Sequence, residues 1–246
     1  MDYLYDGTFD GFLTCIYYHY YKEKALGIYP NASYQYNLID KYAYVETEID
    51  KSKKVSKAIR EKISFEALRH LNSVFLSNDD FKENKMLNYI VYGFKMGKDI
   101  NNYFTHPTVA PILKLSKRVN MEAHRFLGLV RFIEVGNVLF AEIEPDHNIL
   151  PIILKHFVDR FKTENFIIND KKRKIALAYN KKDYIISDYH LDSELPISEK
   201  EKEFQSLWKN YFENISIKSR ENAKLQQQFV PLKYRKHLME FNGEYN

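Results

Sequence analysis

A chain of 246 residues, 45% hydrophobic and 28% charged, can bury a full core without covalent staples, which excludes a disordered, collagen-like or disulfide-scaffold protein. Its single cysteine, Cys15, excludes an internal disulfide and any multi-cysteine zinc or iron–sulfur site within the chain. The net charge of +4 is too mild to demand a nucleic-acid partner by itself.

Residues 3–5 predict a short strand, followed by a turn at Asp6-Gly7. Thr8 predicts the N-cap of a helix to about residue 24, where Phe9, Phe12, Leu13, Ile16, Tyr17 and Tyr20 recur at helical spacing. Pro30-Asn31 breaks the chain, and alternation over 42–49 predicts a strand, so residues 1–50 read as strand–helix–strand. Four helices follow over 51–126: a lysine-rich one at 52–62, one from Ser64, one at 79–98 and one at 108–127. Thr108 is the expected N-cap of the last and Gly128 its expected C-cap.

The period then changes to two. Segments 129–135 and 138–143 flank Gly136-Asn137, a strong hairpin signal. Residues 149–161 return to helical spacing. A second hairpin is expected from 165–169 and 174–179, then a short strand at 184–187 and a polar loop at 187–198. The helix expected at 199–216 carries Phe204, Leu207, Trp208, Tyr211 and Phe212 on one side. A polar helix at 218–228 and a last one from Pro231 to about 241 close the chain. The class this implies is α+β: an antiparallel sheet with helices packed on it, plus a helical segment.

The acidic start lacks the basic region of a secretory leader, and no apolar run nears the ~18 residues of a membrane span. A cytoplasmic protein with no membrane partner is expected. The 20 tyrosines and 17 phenylalanines beside 8 glycines read as the mark of an AT-rich coding sequence, not as a base-stacking device.

Chemistry concentrates in the middle of the chain. Glu122 and Arg125 stand i, i+3 on a helix and read as an ion pair, with His124 offset from them. Five of the 9 arginines (118, 125, 131, 160 and 173) fall in this region of a lysine-biased chain. Arginine's planar fork suits phosphate, or a structural network with Glu142, Glu144, Asp146 or Asp159. Extending the hairpin register sets Arg131 opposite about Glu142, with Glu144 one step along the same face. Glu144 and His147 suit a base and an acid, and three oxygen ligands of segment 142–148 with His147 suit a metal ion. The favoured reading is simpler: Asp146 or Asn148 caps the 149–161 helix. No H-E-x-x-H, Gly-rich phosphate loop or G-x-S-x-G elbow is present, and neither a metal nor a cofactor is expected.

Two segments are basic. Residues 51–62 carry a net +5, with Lys53, Lys57 and Arg60 on one helical face, and residues 155–182 carry a net +6, including Arg160 and Arg173. Such stripes neutralise phosphates or form solvated faces. Arg220, Asn222 and Gln226 form a long-armed donor set for phosphates or base edges, or else an amide-rich helix end.

Several motifs together resemble a bacterial family of DNA metabolism or repair proteins. They are Tyr5-Asp6-Gly7-Thr8-Phe9-Asp10-Gly11, Glu122-x-His124-Arg125-x-x-Gly128-Leu129-Val130-Arg131-Phe132 and Glu144-Pro145-Asp146-His147. The segments His156-Phe157 to Arg160-Phe161, Asp170-x-x-Arg173, Leu207-Trp208-x-x-Tyr211-Phe212, Arg220-x-Asn222-x-x-x-Gln226 and Pro231-x-x-Tyr234 extend the match. The resemblance covers residues 1–246 as one unit. From about 84 to 243 it is to a domain of unknown function also found attached to some uracil-DNA glycosylases. It implies an accessory protein that binds DNA beside a radical S-adenosylmethionine partner, whose iron–sulfur chemistry cannot reside in this chain. The nucleic-acid contacts would be Lys53, Lys57, Arg60, Arg125, Arg131, Arg160, Arg173, Arg220, Asn222 and Gln226. The alternatives are a nucleotide- or DNA-directed hydrolase or glycosylase using His124, Glu144, Asp146 and His147, and a purely structural subunit. One departure is Tyr234-Arg235, where the family has an aromatic pair with Trp.

Overall fold

The structure is a computed structural model that describes residues 1–36, 41–190, 196–215 and 217–241. It divides into two compact units, 1–119 and 120–246.

In the first unit, strand β1 (Asp2–Tyr5) turns at Gly7, φ +84°, into helix α1 (Phe9–Tyr21). Thr8 caps that helix as expected: its Oγ1 accepts the Gly11 N–H at 3.0 Å. Strands β2 (Ile28–Pro30) and β3 (Tyr42–Tyr44) both run parallel to β1, in the order β2-β1-β3. The alternation at 42–49 yields only these three residues of strand, because Ile49 already opens α2 (Ile49–Ala58). A π-helical turn (Ile59–Ile63) follows, then α3 (Phe65–Phe75) with Ser64 Oγ accepting the Ala67 N–H at 2.9 Å, and α4 (Lys82–Met96). Tyr3, Tyr5, Phe12, Ile16, Ile59, Leu71 and Tyr89 fill the core. Tyr3, Tyr5 and Tyr89 are packing residues. Burial also pushes the Cys15 thiol up to about 12, which makes it an inert core side chain.

The division between units falls within α5 (Ala110–Leu129). Thr108 lies outside α5, and its own N–H bonds His106 Nδ1 at 3.2 Å. Gly128 is not a C-cap either. It lies inside the helix without a positive φ, and the Arg131 guanidinium donates to its carbonyl at 2.7 Å. A side chain thus satisfies an end carbonyl that a left-handed glycine would otherwise help to satisfy.

The second unit holds β4 (Ile133–Val135), β5 (Val138–Ile143), α6 (Leu150–Arg160), β6 (Asn165–Asp170), β7 (Ile175–Asn180) and β8 (Tyr184–Asp188). The strands lie in chain order in one sheet. Both expected hairpins form, one around Gly136 at φ +60° with Val135 opposite Val138, the other with Asp170 opposite Ile175. Strands β5 and β6 run parallel, because α6 carries the chain back along the sheet between them. The α+β class and its antiparallel ladders stand, with this one parallel pair added. Ile143, Ile153, Phe157, Phe166, Ile168 and Leu177 are buried between sheet and helix.

Helices α7 (Glu199–Ile215), α8 (Ala223–Phe229) and α9 (Leu232–Arg235) and a 3-10 turn (Met239–Phe241) follow. The expected last helix, 231–241, is therefore two short pieces, with Tyr234, Leu238 and Phe241 plugged into the core. Among the described residues, no helix is long and apolar enough to cross a membrane.

Candidate functional site

The acidic motif of the second unit is built around Glu122. Its side chain, on α5 and almost fully buried, accepts the N–H groups of Asp146 and His147, each at 2.8 Å, and the Tyr234 hydroxyl. Burial first, and then this carboxylate, push the Tyr234 phenol well above its usual range. Neither Asp146 nor Asn148 caps α6: the cap position is Ile149, without a side-chain bond, and Asn148 Oδ1 is buried with no partner among the described residues. The expected Glu122–Arg125 pair is not made. Two fixed amides and a phenol already occupy the carboxylate, and Arg125 bonds no described residue.

The other charges of this motif also find partners. Glu144 meets Lys236 Nζ at 2.5 Å and His237 Nε2 at 3.2 Å. Asp146 meets Lys233, and Lys172 at 3.6 Å. Arg173 donates to the Asp146 carbonyl, to Pro145 O at 3.0 Å and to Asp170 Oδ2 at 2.9 Å. Burial raises the fully enclosed Asp170, although Arg173 opposes it. Burial also lowers His147, which favours its neutral form. His124 is exposed and bonds no described residue. The structure thus brings Asp146, His147 and Arg173 together, sets Glu144 against Lys236 and His237, and leaves His124 apart. Among the described residues, no group of three His, Cys, Asp or Glu is placed to hold a metal ion.

This cluster clamps residues 231–241 onto the turn after β5, and protonating its acidic groups should loosen it. Burial alone would raise Glu144 and Asp146, but the hydrogen bonds and charge of Lys236 and His237, and of Lys233 and Lys172, hold both below the usual carboxylate range. A carboxyl whose folded pKa is depressed stabilises the fold fully above its unfolded value, near 4, and loses this as pH falls through the folded value. Buried His147 acts in the same direction, from about pH 6.5 downward. Acidification from about pH 6 to about pH 3 is therefore expected to release the segment, so that its amide hydrogens, corrected for the intrinsic exchange rate at each pH, lose protection before those of the rest of the unit. Equal protection at both pH values would contradict the clamp.

A cleft of about 600 Å³ lies elsewhere in the same unit. Its floor is Phe132, Phe157 and Phe161, with the Phe132 and Phe161 rings 4.9 Å apart. One wall is α7, which presents Phe204 and Trp208 at 54% and 40% exposure. Two of the predicted arginines, Arg131 and Arg160, line it. Arg131 does not pair with Glu142. Strand β4 starts only at Ile133, so residue 131 is still leaving α5 and never enters the ladder. Its guanidinium instead gives Nη2 and Nε to Glu240 Oε1, at 2.6 and 3.2 Å, while Glu142 takes Lys171 at 3.2 Å. The second Glu240 oxygen accepts the Trp208 indole N–H at 3.2 Å. One carboxylate with a 3% exposed side chain therefore fixes both the arginine and the tryptophan ring.

Arg160 is exposed at the end of α6, its guanidinium 5.6 Å from the Phe161 ring centre, and it hydrogen-bonds no described residue. Glu201 also lines the cleft, but its oxygens take the Glu134 N–H at 3.1 Å and the Gln205 amide at 3.0 Å. Beside Gly128 the cleft is open: a Cβ there would meet nothing within 4 Å.

The remaining predicted contacts are dispersed. Lys53, Lys57 and Arg60 are exposed on the first unit, with Ser52, Val55 and Ile59 turned inward, and Lys57 is 3.9 Å from Glu61. Arg220 is exposed. Asn222 is the N-cap of α8, accepting the Leu225 N–H at 3.0 Å, and Gln226 accepts from Arg235 at 3.1 Å, so both amides already serve the local fold. Arg235 is buried, its planar guanidinium 4.4 Å from the Phe241 ring centre.

The sequence pattern of one family, described as a domain of unknown function (DUF4130), matches residues 80–240. No curated protein and no solved structure matches the chain.

Proposed function

The chain belongs to the DUF4130 family, a domain of unknown function, and from that premise we propose that it is a nucleic-acid-binding accessory protein of DNA metabolism or repair. In this reading it works beside a radical S-adenosylmethionine partner. The context and the partner rest on the motif resemblance. The binding rests on one observation: the cleft sets Arg160, without a carboxylate partner among the described residues, beside exposed aromatic faces. Phosphates are held by cations and unstacked bases by flat apolar rings, so this pairing of groups suits nucleic acid. The outward face of Lys53, Lys57 and Arg60 adds positive charge on the first unit. The hydrolase or glycosylase reading has less support. Glu144 and Asp146 each carry a lysine, and His124 stands apart from them.

Fluorescence anisotropy of labelled single strands and duplexes at rising salt tests this. Binding should weaken with a log–log slope of about −0.7 per phosphate neutralised on single strands or about −0.9 on duplex. Arg160→Ala should weaken binding and flatten the slope by about one phosphate. Replacing Lys53, Lys57 and Arg60 together by alanine should flatten it further. No binding at about 50 mM salt, where screening is still mild, would refute the proposal.

A further inference from the structure

Resting on that reading, we propose that the cleft takes one unstacked nucleotide of a single strand, its base lying on the Trp208 ring and its phosphate on Arg160. Size comes first. A cleft of about 600 Å³ falls within the range of small-molecule pockets and has room for a single nucleotide. In a stacked duplex the bases offer only their edges, so a base reaches an aromatic face only after leaving the stack.

The aromatic wall is pre-set. Phe204 and Trp208 are i, i+4 on α7 and line the same cleft, still substantially exposed. Glu240 pins the indole N–H of Trp208, so the ring gives up little further freedom when a base stacks on it. The same carboxylate neutralises Arg131, whose guanidinium sits 5.8 Å from the Trp208 ring centre. Arg160 is left as the cation with no carboxylate of its own, and the phosphate falls to it. The open space beside Gly128 keeps the floor accessible.

Trp208 is the only tryptophan, so its emission reports this cleft alone. The full chain is titrated with thymidine 5′-monophosphate, thymidine, inorganic phosphate, an oligothymidylate of about ten nucleotides and the corresponding duplex. Thymidine monophosphate and the oligothymidylate should quench the emission. Thymidine should do so more weakly, while phosphate and duplex should leave it nearly unchanged. Arg160→Ala should raise the midpoint for the monophosphate about tenfold and leave that for thymidine within about twofold. Gly128→Leu, which fills the cleft and removes no charge, should abolish quenching by both while keeping the circular dichroism spectrum. Should that variant misfold, the Arg160→Ala comparison decides alone, because Arg160 is exposed. Oligothymidylate that binds by anisotropy without quenching would overturn the nucleotide pocket and leave the nucleic-acid reading intact. Neither binding nor quenching would overturn both.

Discussion

Glu122→Ala is expected to lower the melting temperature by roughly 10 °C, the largest loss from a single substitution in the acidic motif. The carboxylate accepts two backbone N–H groups and a phenol, the His147 N–H and the phenol in buried surroundings and the Asp146 N–H half-buried. Removing it strands these donors at a cost of about 1–3 kcal/mol each, somewhat offset by relaxation of the turn, so about 3–5 kcal/mol in all. Glu122→Gln keeps the shape but turns an amide donor toward a donor, and should lose about half as much. Tyr234→Phe removes only the phenol bond and should cost about 1 kcal/mol. Arg125→Ala should be nearly neutral. Had Glu122 served as an exposed i, i+3 ion pair, its loss would cost only about 0.3–0.5 kcal/mol. Thermal unfolding of these four variants separates the two roles by their magnitudes.

What the sequence disclosed divides by distance along the chain. Gly136-Asn137, the Thr8 cap and a helix starting at Ser64 were legible, because each is set by residues within a turn of one another. The parallel β5–β6 pair was not, because hairpin signals report only local reversals, and the pairing depends on where α6 returns the chain. The arginines of the cleft could be singled out by type, but their partners could not. Arg131 and Glu240 are 109 residues apart, Glu122 and Tyr234 are 112 apart, and no periodicity links them. Glu240, a carboxylate in the run Leu238-Met239-Glu240-Phe241, carried the one available hint, since a charge amid core residues needs a partner. The stripe on α7 shows a different limit. Its helical spacing suggests a core face, yet Leu207 and Tyr211 are exposed, and Phe212 alone of the five packs on a core ring, 5.4 Å from Phe241. Periodicity marks an apolar face without saying what covers it.

The Arg131–Glu240 pair should behave as a structural unit with unequal halves. The Glu240 side chain is 3% exposed, against 25% for Arg131. Arg131→Ala therefore leaves a buried carboxylate with the Trp208 N–H and no cation, and it also removes the donor to the Gly128 carbonyl. Breaking a buried pair from this side costs about 3–5 kcal/mol. Glu240→Ala leaves an arginine that can turn toward water, and should cost less, about 2 kcal/mol. The double variant should be little worse than Arg131→Ala, which gives a coupling near 2 kcal/mol. Glu240→Ala should also loosen the indole, seen as a red shift and greater mobility of the Trp208 emission. Arg160 supplies the control. Exposed and without an ion pair among the described residues, it should change stability by no more than about 0.5 kcal/mol when replaced by alanine, while nucleic-acid affinity falls. The two arginines would then part company, Arg131 acting through the fold and Arg160 through the ligand. An Arg131→Ala protein that melts like the parent, with no coupling to Glu240, would transfer Arg131 to the ligand side as well.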